Sequence, residues 1–458
     1  MQRKEKFLSA HQAGKLLSQL GNEFVVVKNP DYVHPECELY PLAPKITSPI
    51  DRLSAVVMDM DGTTTTTESL CLHSLEYMIR KITGRMTKES WLGLDRTVDY
   101  PHIIGNSTTR HVEYLIQTYW SWINPELLKQ AYVHAAVWFM LKGQDKRRLE
   151  EVQNNLVNLG CKDMVNDEHL LRAIDLQRSQ PVQVEDIAFT MLDHHGSKFH
   201  ANSFSEIVRA GIDIYYQRYH EILSQIDAGD GKHLSSQILG TTEAHLIEPM
   251  PGVGEFLALI KGWLGEEIEA LFPALLERCR SAVATTYPFD VDNARRNLIR
   301  LGELFQRQPV KVAVVTSSIL YEARIVLSEV FRVLCRQIQY WPVRPQTRKL
   351  LLEKFADYRN VYDGFVTASD SSEIRLKPHR DLYSIALHQL GIPKEKFGEV
   401  IGFEDSESGT IAIRAAGIGL CVAVPFADTQ HHDLRAATFV LKHGLPEALL
   451  RHNLFVKE

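Results

Sequence analysis

Two aspartates one residue apart, at the end of an apolar run, are the first feature of this chain that can do chemistry. They lie in VVMDMDGTTTTTESL, residues 56–70, where Asp59 and Asp61 precede a glycine and the five threonines Thr63 to Thr67. A second acidic pair, Glu404 and Asp405, ends another apolar run, and Lys377 stands before it in LKPHRD. Carboxylates gathered in one place are costly unless a cation joins them. Magnesium fits best, because it is hard and octahedral and is satisfied by one or two carboxylates, waters and substrate phosphate oxygens. Lysine is a compact point charge suited to phosphate, and the Thr316 hydroxyl with nearby backbone amides can hold a phosphate oxygen. A carboxylate nucleophile would form an aspartyl-phosphate and split one hard displacement into two. Its charge repels a phosphate dianion, so the metal and the lysine are needed as electrostatic relief. The second aspartate, pushed upward in pKa by its neighbour's charge, suits a proton donor to the leaving oxygen and then a base for water.

These residues need elements that bring them to one place. LSAVVMD (53–59) reads as a buried strand, and KVAVVTSS (311–318), VYDGFVTASD (361–370), EVIGFEDSESG (399–409), GLCVAV (419–424) and TFVL (438–441) as five more. Helical patterns lie between them, as at 381–390 and 409–416. Strands alternating with helices predict an α/β fold built on a doubly wound parallel sheet, with ligands outside the carboxyl ends of the strands. The chemical residues gather at those ends. Between the first and second of these strands the reading is helical for nearly 180 residues. Leu72, Leu75, Ile79 and Ile82 form a stripe that Gly84 can stop. Asn124-Pro125-Glu126 opens a helix that runs to Leu141. Ser203 with Glu206 makes a capping-box pattern ahead of Ile212, Tyr215, Tyr216, Tyr219, Ile222 and Leu223. The prediction is an N-terminal arm over 1–50 with a proline-rich extended connector, a catalytic core over 51–70 and 249–458, and an inserted helical domain over 71–248.

With these motifs in this order, the chain resembles the haloacid dehalogenase superfamily of phosphohydrolases. The motifs are DMDGT at 59–63, VVTSS with Thr316, LKPHRDLY with Lys377, and FEDSESG with Glu404 and Asp405. With Pro251-Gly252, they resemble the phosphoglycolate-phosphatase and β-phosphoglucomutase-like branch, whose members carry a helical cap between the first and second motifs. The resemblance covers roughly 51–70 and 249–445. It implies Asp59 as nucleophile and magnesium ligand, and Asp61 as general acid/base with its backbone carbonyl on the metal. It implies Thr316, Ser317 and Lys377 as phosphate-binding residues, and Asp405 on the metal with Glu404 assisting. The implied activity is Mg2+-dependent hydrolysis of a small phosphorylated metabolite. A phosphomutase sharing the first half-reaction is the alternative. Three departures stand out: Thr64 where an apolar residue is usual, with the threonines lengthening a flexible flap before the cap; Arg380 in place of the second proline of KPxPD; and a cap far larger than is common in the branch.

Composition bounds the rest. The 458 residues are 45% hydrophobic and 24% charged, with a formal net charge of −6. Such a chain has no global basic field for nucleic acid or anionic membranes. No apolar run approaches the ~20 residues that span a bilayer. The six cysteines are scattered without a CxxC pair, which fits a reducing, cytoplasmic setting. DMDG fails as an EF-hand, since Thr63, Thr64 and Leu70 stand at later ligand positions. PGVGEF lacks the third glycine of a dinucleotide fingerprint. His194, His195 and His200 read as surface or capping residues rather than a metal site. Trp120, Trp122 and Trp138 read as core of the helical domain. Arg110 follows Ser107, a candidate helix cap, in GNSTTRHVEYL. A 2-haloacid dehalogenase is disfavoured by the presence of Asp61, and a scaffold without activity by the intact acids and lysine.

Overall fold

The computed structural model describes residues 7–29, 33–86, 89–104, 107–241, 245–281, 290–426, 429 and 431–457. Residues 30–32 of the proline-rich segment and 105–106 at the head of GNSTTRHVEYL lie outside them. Two compact units are present: residues 1–66 with 247–458, and residues 67–246. The 1–50 segment belongs to the first.

In the first unit the strands are β1 (Phe24–Lys28), β2 (Cys37–Pro41), β3 (Ala55–Asp59), β4 (Thr65–Thr66), β5 (Glu248–Pro249), β6 (Lys311–Val315), β7 (Gly364–Val366), β8 (Val400–Glu404), β9 (Leu420–Ala423) and β10 (Phe439–Val440). Six of them form one sheet in the order β10-β9-β8-β3-β6-β7, with every pairing parallel. The chain winds outward from β3 through β6 to β7, then returns to β8 on the other side of β3 and winds outward again. β3 and β8 therefore flank the switch point at which ligands bind in such sheets. Both strands are buried along their whole length, which explains why they read as unbroken apolar runs rather than alternating ones.

One face of the sheet, with Val57, Ala313, Val315, Val400 and Cys421, packs against Leu382, Ala386 and Leu387 of the helix Asp381–Gln389 and Ala412 and Ile413 of the helix Glu407–Ala415. Alternation turns Phe403 to the other face, where Phe256 of the helix Val253–Ile260 meets it edge-on at 5.4 Å. At Gly402 an added Cβ would lie 2.6 Å from Ile413, so only glycine lets that helix close on the strand.

The proline-rich segment is not simply an extended connector. Its middle, Cys37–Pro41, is β2, which pairs antiparallel with β1. Val27, Tyr40 and Leu42 of this hairpin bury themselves against Ala415. The guanidinium of Arg414, fully buried, donates to the carbonyls of Ala43 (2.6 Å) and Ala436 (2.7 Å) and to Glu23 (2.5 Å).

The second unit is helical. The helices Glu68–Thr83, Pro125–Lys142 and Phe204–Asp227 pack on one another. Gly84 ends the first in the left-handed conformation at φ 74, Asn124 caps the second, and both halves of the Ser203–Glu206 capping box form. Arg148 and Asp213 pair in the interior, with Asn155 donating to Asp213 at 3.0 Å and the Tyr216 ring 4.4 Å from the guanidinium. Ser107 occupies the cap position of its helix without a side-chain bond. Of the three tryptophans expected in this core, only Trp138 is buried. Trp120 and Trp122 are 48% and 40% exposed, and the Arg85 guanidinium lies 4.1 Å from the Trp122 ring. Among the described residues no helix is long and apolar enough to cross a membrane.

Candidate active site

β3 delivers Asp59 and β8 delivers Glu404 to the same end of the sheet, since the register pairs Met58 with Phe403 just before them. The loop that carries Lys377 precedes the helix Asp381–Gln389 and brings the ammonium between the two carboxylates. It contacts Asp59 Oδ1 and lies 2.7 Å from Glu404 Oε1. Asp405 follows Glu404 in the turn out of β8. Asp59, Glu404 and Asp405 each offer an oxygen within 4.8 Å of the others, and all three are buried.

Glu404 is unusually well held. Oε1 accepts from Lys377 and from the Tyr383 hydroxyl (3.1 Å). Oε2 accepts from the amides of Asp405 and Ser406, both at 3.0 Å, and from the Ser406 hydroxyl at 2.9 Å. Five donors thus saturate the roughly four lone-pair sites of a carboxylate. Gly409, one turn into the following helix, leaves the room: a Cβ there would lie 1.6 Å from Glu404 Oε1.

Asp61 follows in the turn after β3. Its Oδ2 accepts from the Thr316 hydroxyl at 3.0 Å and the Ser318 hydroxyl at 3.3 Å, at the end of β6. The adjacent Ser317 is exposed. The turn itself is closed, contrary to the flexible flap that the threonines suggest. The amides of Thr64 and Thr65 both donate to the Met60 carbonyl (2.9 and 2.8 Å), and that of Gly62 to Thr65 (2.8 Å). The Thr64 hydroxyl donates to the Asp59 carbonyl at 2.6 Å, and that of Thr63 to Asp405 Oδ1 at 3.3 Å. Thr63, Thr64 and Thr65 are buried. The polar residue at 64 thus closes the end of β3 with a hydroxyl bond.

The electrostatics follow from burial. Burial, then the charge of Glu404, hold the Asp59 carboxyl well above the usual carboxylate range, with Lys377 opposing. For Lys377, burial works against the ammonium, yet Asp59 and Glu404 outweigh it and hold its pKa above the ordinary value. Among the described residues, three buried carboxyl groups thus converge around the Lys377 ammonium. An all-oxygen set of this kind fits a hard divalent cation.

The N-terminal hairpin braces the lysine loop from behind. Arg375 bridges Glu38 of β2 (3.1 Å) and Asp381 (2.9 Å), the Tyr40 hydroxyl meets His379 Nδ1 at 2.7 Å, and Arg380 lies 5.8 Å from the Tyr40 ring. Tyr383, Ser318 and Ser406 were missed at the level of sequence, although all three stand inside or beside the quoted motifs.

No family model and no curated protein matches the chain. Among solved structures it is similar to CbbY from Rhodobacter sphaeroides in complex with phosphate, at 14% identity over 86% of this chain and 96% of that one, with a TM-score of 0.38. A HAD family hydrolase from Deinococcus radiodurans R1, with bound phosphate and sodium, is similar at 14% identity over 89% and 99%, with a TM-score of 0.37. A β-phosphoglucomutase from Clostridium difficile is similar at 13% over 85% and 90%, with a TM-score of 0.31. At these values the functional reading rests on the chain's own residues.

Proposed function

We propose that the chain is a phosphohydrolase of the haloacid dehalogenase type, acting on a small phosphorylated metabolite through an aspartyl-phosphate on Asp59. The observation that carries this reading is the convergence of Asp59, Asp405 and the Lys377–Glu404 pair at the switch point between β3 and β8, with Asp61 held apart on Thr316 and Ser318.

Asp59 and Asp405 would hold Mg2+, with the Asp61 carbonyl as a further ligand. Bound there, the cation would supply charge neutralisation at the transferring phosphoryl group. Glu404, with its oxygens already taken by five donors, orients Lys377 rather than serving as the principal ligand. In the first step an ionised Asp59 oxygen attacks phosphorus, while Lys377 offsets the charge that accumulates on the phosphoryl oxygens. Thr316, with Ser317 beside it, would hold one of those oxygens. Asp61 donates its proton to the leaving alkoxide. In the second step Asp61 takes a proton from water, which attacks the phosphoryl group and frees Asp59 with release of inorganic phosphate.

Asp59→Asn removes the nucleophile and is expected to abolish phosphate release from an aryl phosphate in the presence of Mg2+, while the thermal unfolding midpoint stays close to that of the parent. Metal-dependent turnover retained in that variant would rule the reading out.

A further inference from the structure

The helical unit holds a convergent cluster of its own. Asp167 is the cap residue of the helix Glu168–Gln177, and His194 and His195 are the last two residues of the helix Val184–His195. Neighbouring helical residues diverge by about 100°, yet both imidazoles reach one oxygen. His194 uses its near nitrogen, with Nδ1 3.0 Å from Asp167 Oδ2, and His195 uses its far one, with Nε2 2.8 Å from the same atom. The difference in reach offsets the divergence. All three ligand atoms lie within 4.8 Å of one another. Asp167 and His195 have side chains 9% and 10% exposed, while His194 at 36% leaves an approach from solvent. A fourth donor stands close: His169 Nδ1 is 3.5 Å from Asp167 Oδ1, and its ring centroid is 5.1 Å from that of His194. Among the described residues His195 Nδ1 is buried without a hydrogen-bond partner, so the ring's hydrogen bond is the one to Asp167. The sequence reading, which found nothing to bring the histidines together, is corrected for this pair. His200 is not part of the cluster.

We propose that Asp167, His194 and His195 form a transition-metal site, with Zn2+ as the ion it fits best, joining the ends of these two helices. Two imidazoles and a carboxylate suit a borderline ion with short tetrahedral bonds. They do not suit Mg2+, which prefers oxygen. The fourth position is left to His169 or water. The two clusters would thus sort metals by ligand softness.

Full-length protein stripped with chelator and dialysed into millimolar Mg2+ is titrated with Zn2+ against a chromophoric competitor. The expected result is one tight equivalent, with visible d–d bands of tetrahedral intensity when Co2+ replaces Zn2+. Asp167→Asn and the double variant His194→Gln/His195→Gln are expected to weaken that equivalent by at least about tenfold, while Asp405→Asn keeps it. Circular dichroism checks that the variants fold. Absence of saturable Zn2+ binding in the parent overturns the proposal. So does an unchanged equivalent in a folded Asp167→Asn or double variant. If neither folds, the Co2+ spectrum of the parent decides, and octahedral bands overturn it.

Discussion

At the scale of single residues, the proposed mechanism sets a nucleophile that must be ionised, Asp59, against surroundings that oppose ionisation. Burial and Glu404 raise the Asp59 carboxyl, and Lys377 lowers it. Activity should fall as pH drops through the Asp59 pKa, because the protonated acid cannot attack. Removing Lys377 raises that pKa further, so the acid limb of the rate–pH profile in Lys377→Met moves to higher pH. With saturating Mg2+ the maximal rate should also fall about 100- to 1000-fold, the usual cost of losing one preorganised charge at a phosphoryl or oxyanion centre. An unmoved acid limb would assign that limb to another group. The two acids of β8 and its turn should separate in the same assay. Asp405→Asn is expected to raise the Mg2+ concentration for half-maximal activity by at least about tenfold. Glu404→Gln, which loosens Lys377, should lower kcat with a smaller change in that concentration. The candidate residues could be picked out because the chemistry confines them to short motifs, and the structure brings Asp59, Lys377, Glu404 and Asp405 together. Tyr383 could not be, although LKPHRDLY contains it, because its reach to Glu404 depends on the rotation of the helix Asp381–Gln389 against β8, which no local pattern sets.

At the scale of elements, legibility tracked burial. β3, β6, β8 and β9 are apolar runs with nearly every residue covered, and a buried parallel strand has no other signature. The hairpin β1–β2 was half hidden because prolines mark its second strand and both strands alternate between exposed and covered residues. Its partners are Ala415, Arg375 and His379, distant in sequence. The turn after β3 makes a sharper point. Gly62 sits at φ 85, and an added Cβ would lie 2.7 Å from the Asp405 carboxylate. The glycine of DGT is therefore required twice, once for backbone conformation and once because Asp405 occupies the space beside it. Gly62→Ala should lower stability by about 1–2 kcal/mol from the left-handed conformation alone. It should also displace Asp405, so the Mg2+ requirement rises with the loss of activity. Thermal unfolding and a Mg2+ titration of the rate measure the two effects separately. A variant that loses stability but keeps the Mg2+ dependence would show that the turn relaxes without moving Asp405.

At the scale of the whole chain, the helical unit enters and leaves through one short ladder. β4 and β5 pair antiparallel, Thr66 opposite Glu248, with the Glu248 amide donating to the Thr66 hydroxyl at 3.2 Å. The ends of the first unit at 66 and 247 are therefore neighbours, the arrangement that makes insertion and excision of a domain tolerable to the host. Asp59, Lys377, Glu404, Asp405 and the Thr316–Asp61 contact all lie within residues 1–66 and 247–458. A chain in which residues 67–246 are replaced by a short Gly/Ser linker should then fold cooperatively and keep Mg2+-dependent release of phosphate from an aryl phosphate. If the excised unit selects the substrate, discrimination across a panel of phosphorylated metabolites should be lost while aryl phosphate turnover remains. Circular dichroism melts with the two phosphate-release assays measure this. A folded core without aryl phosphatase activity would place an essential group in the helical unit. A core that fails to fold would show that the β4–β5 ladder depends on the helices it admits.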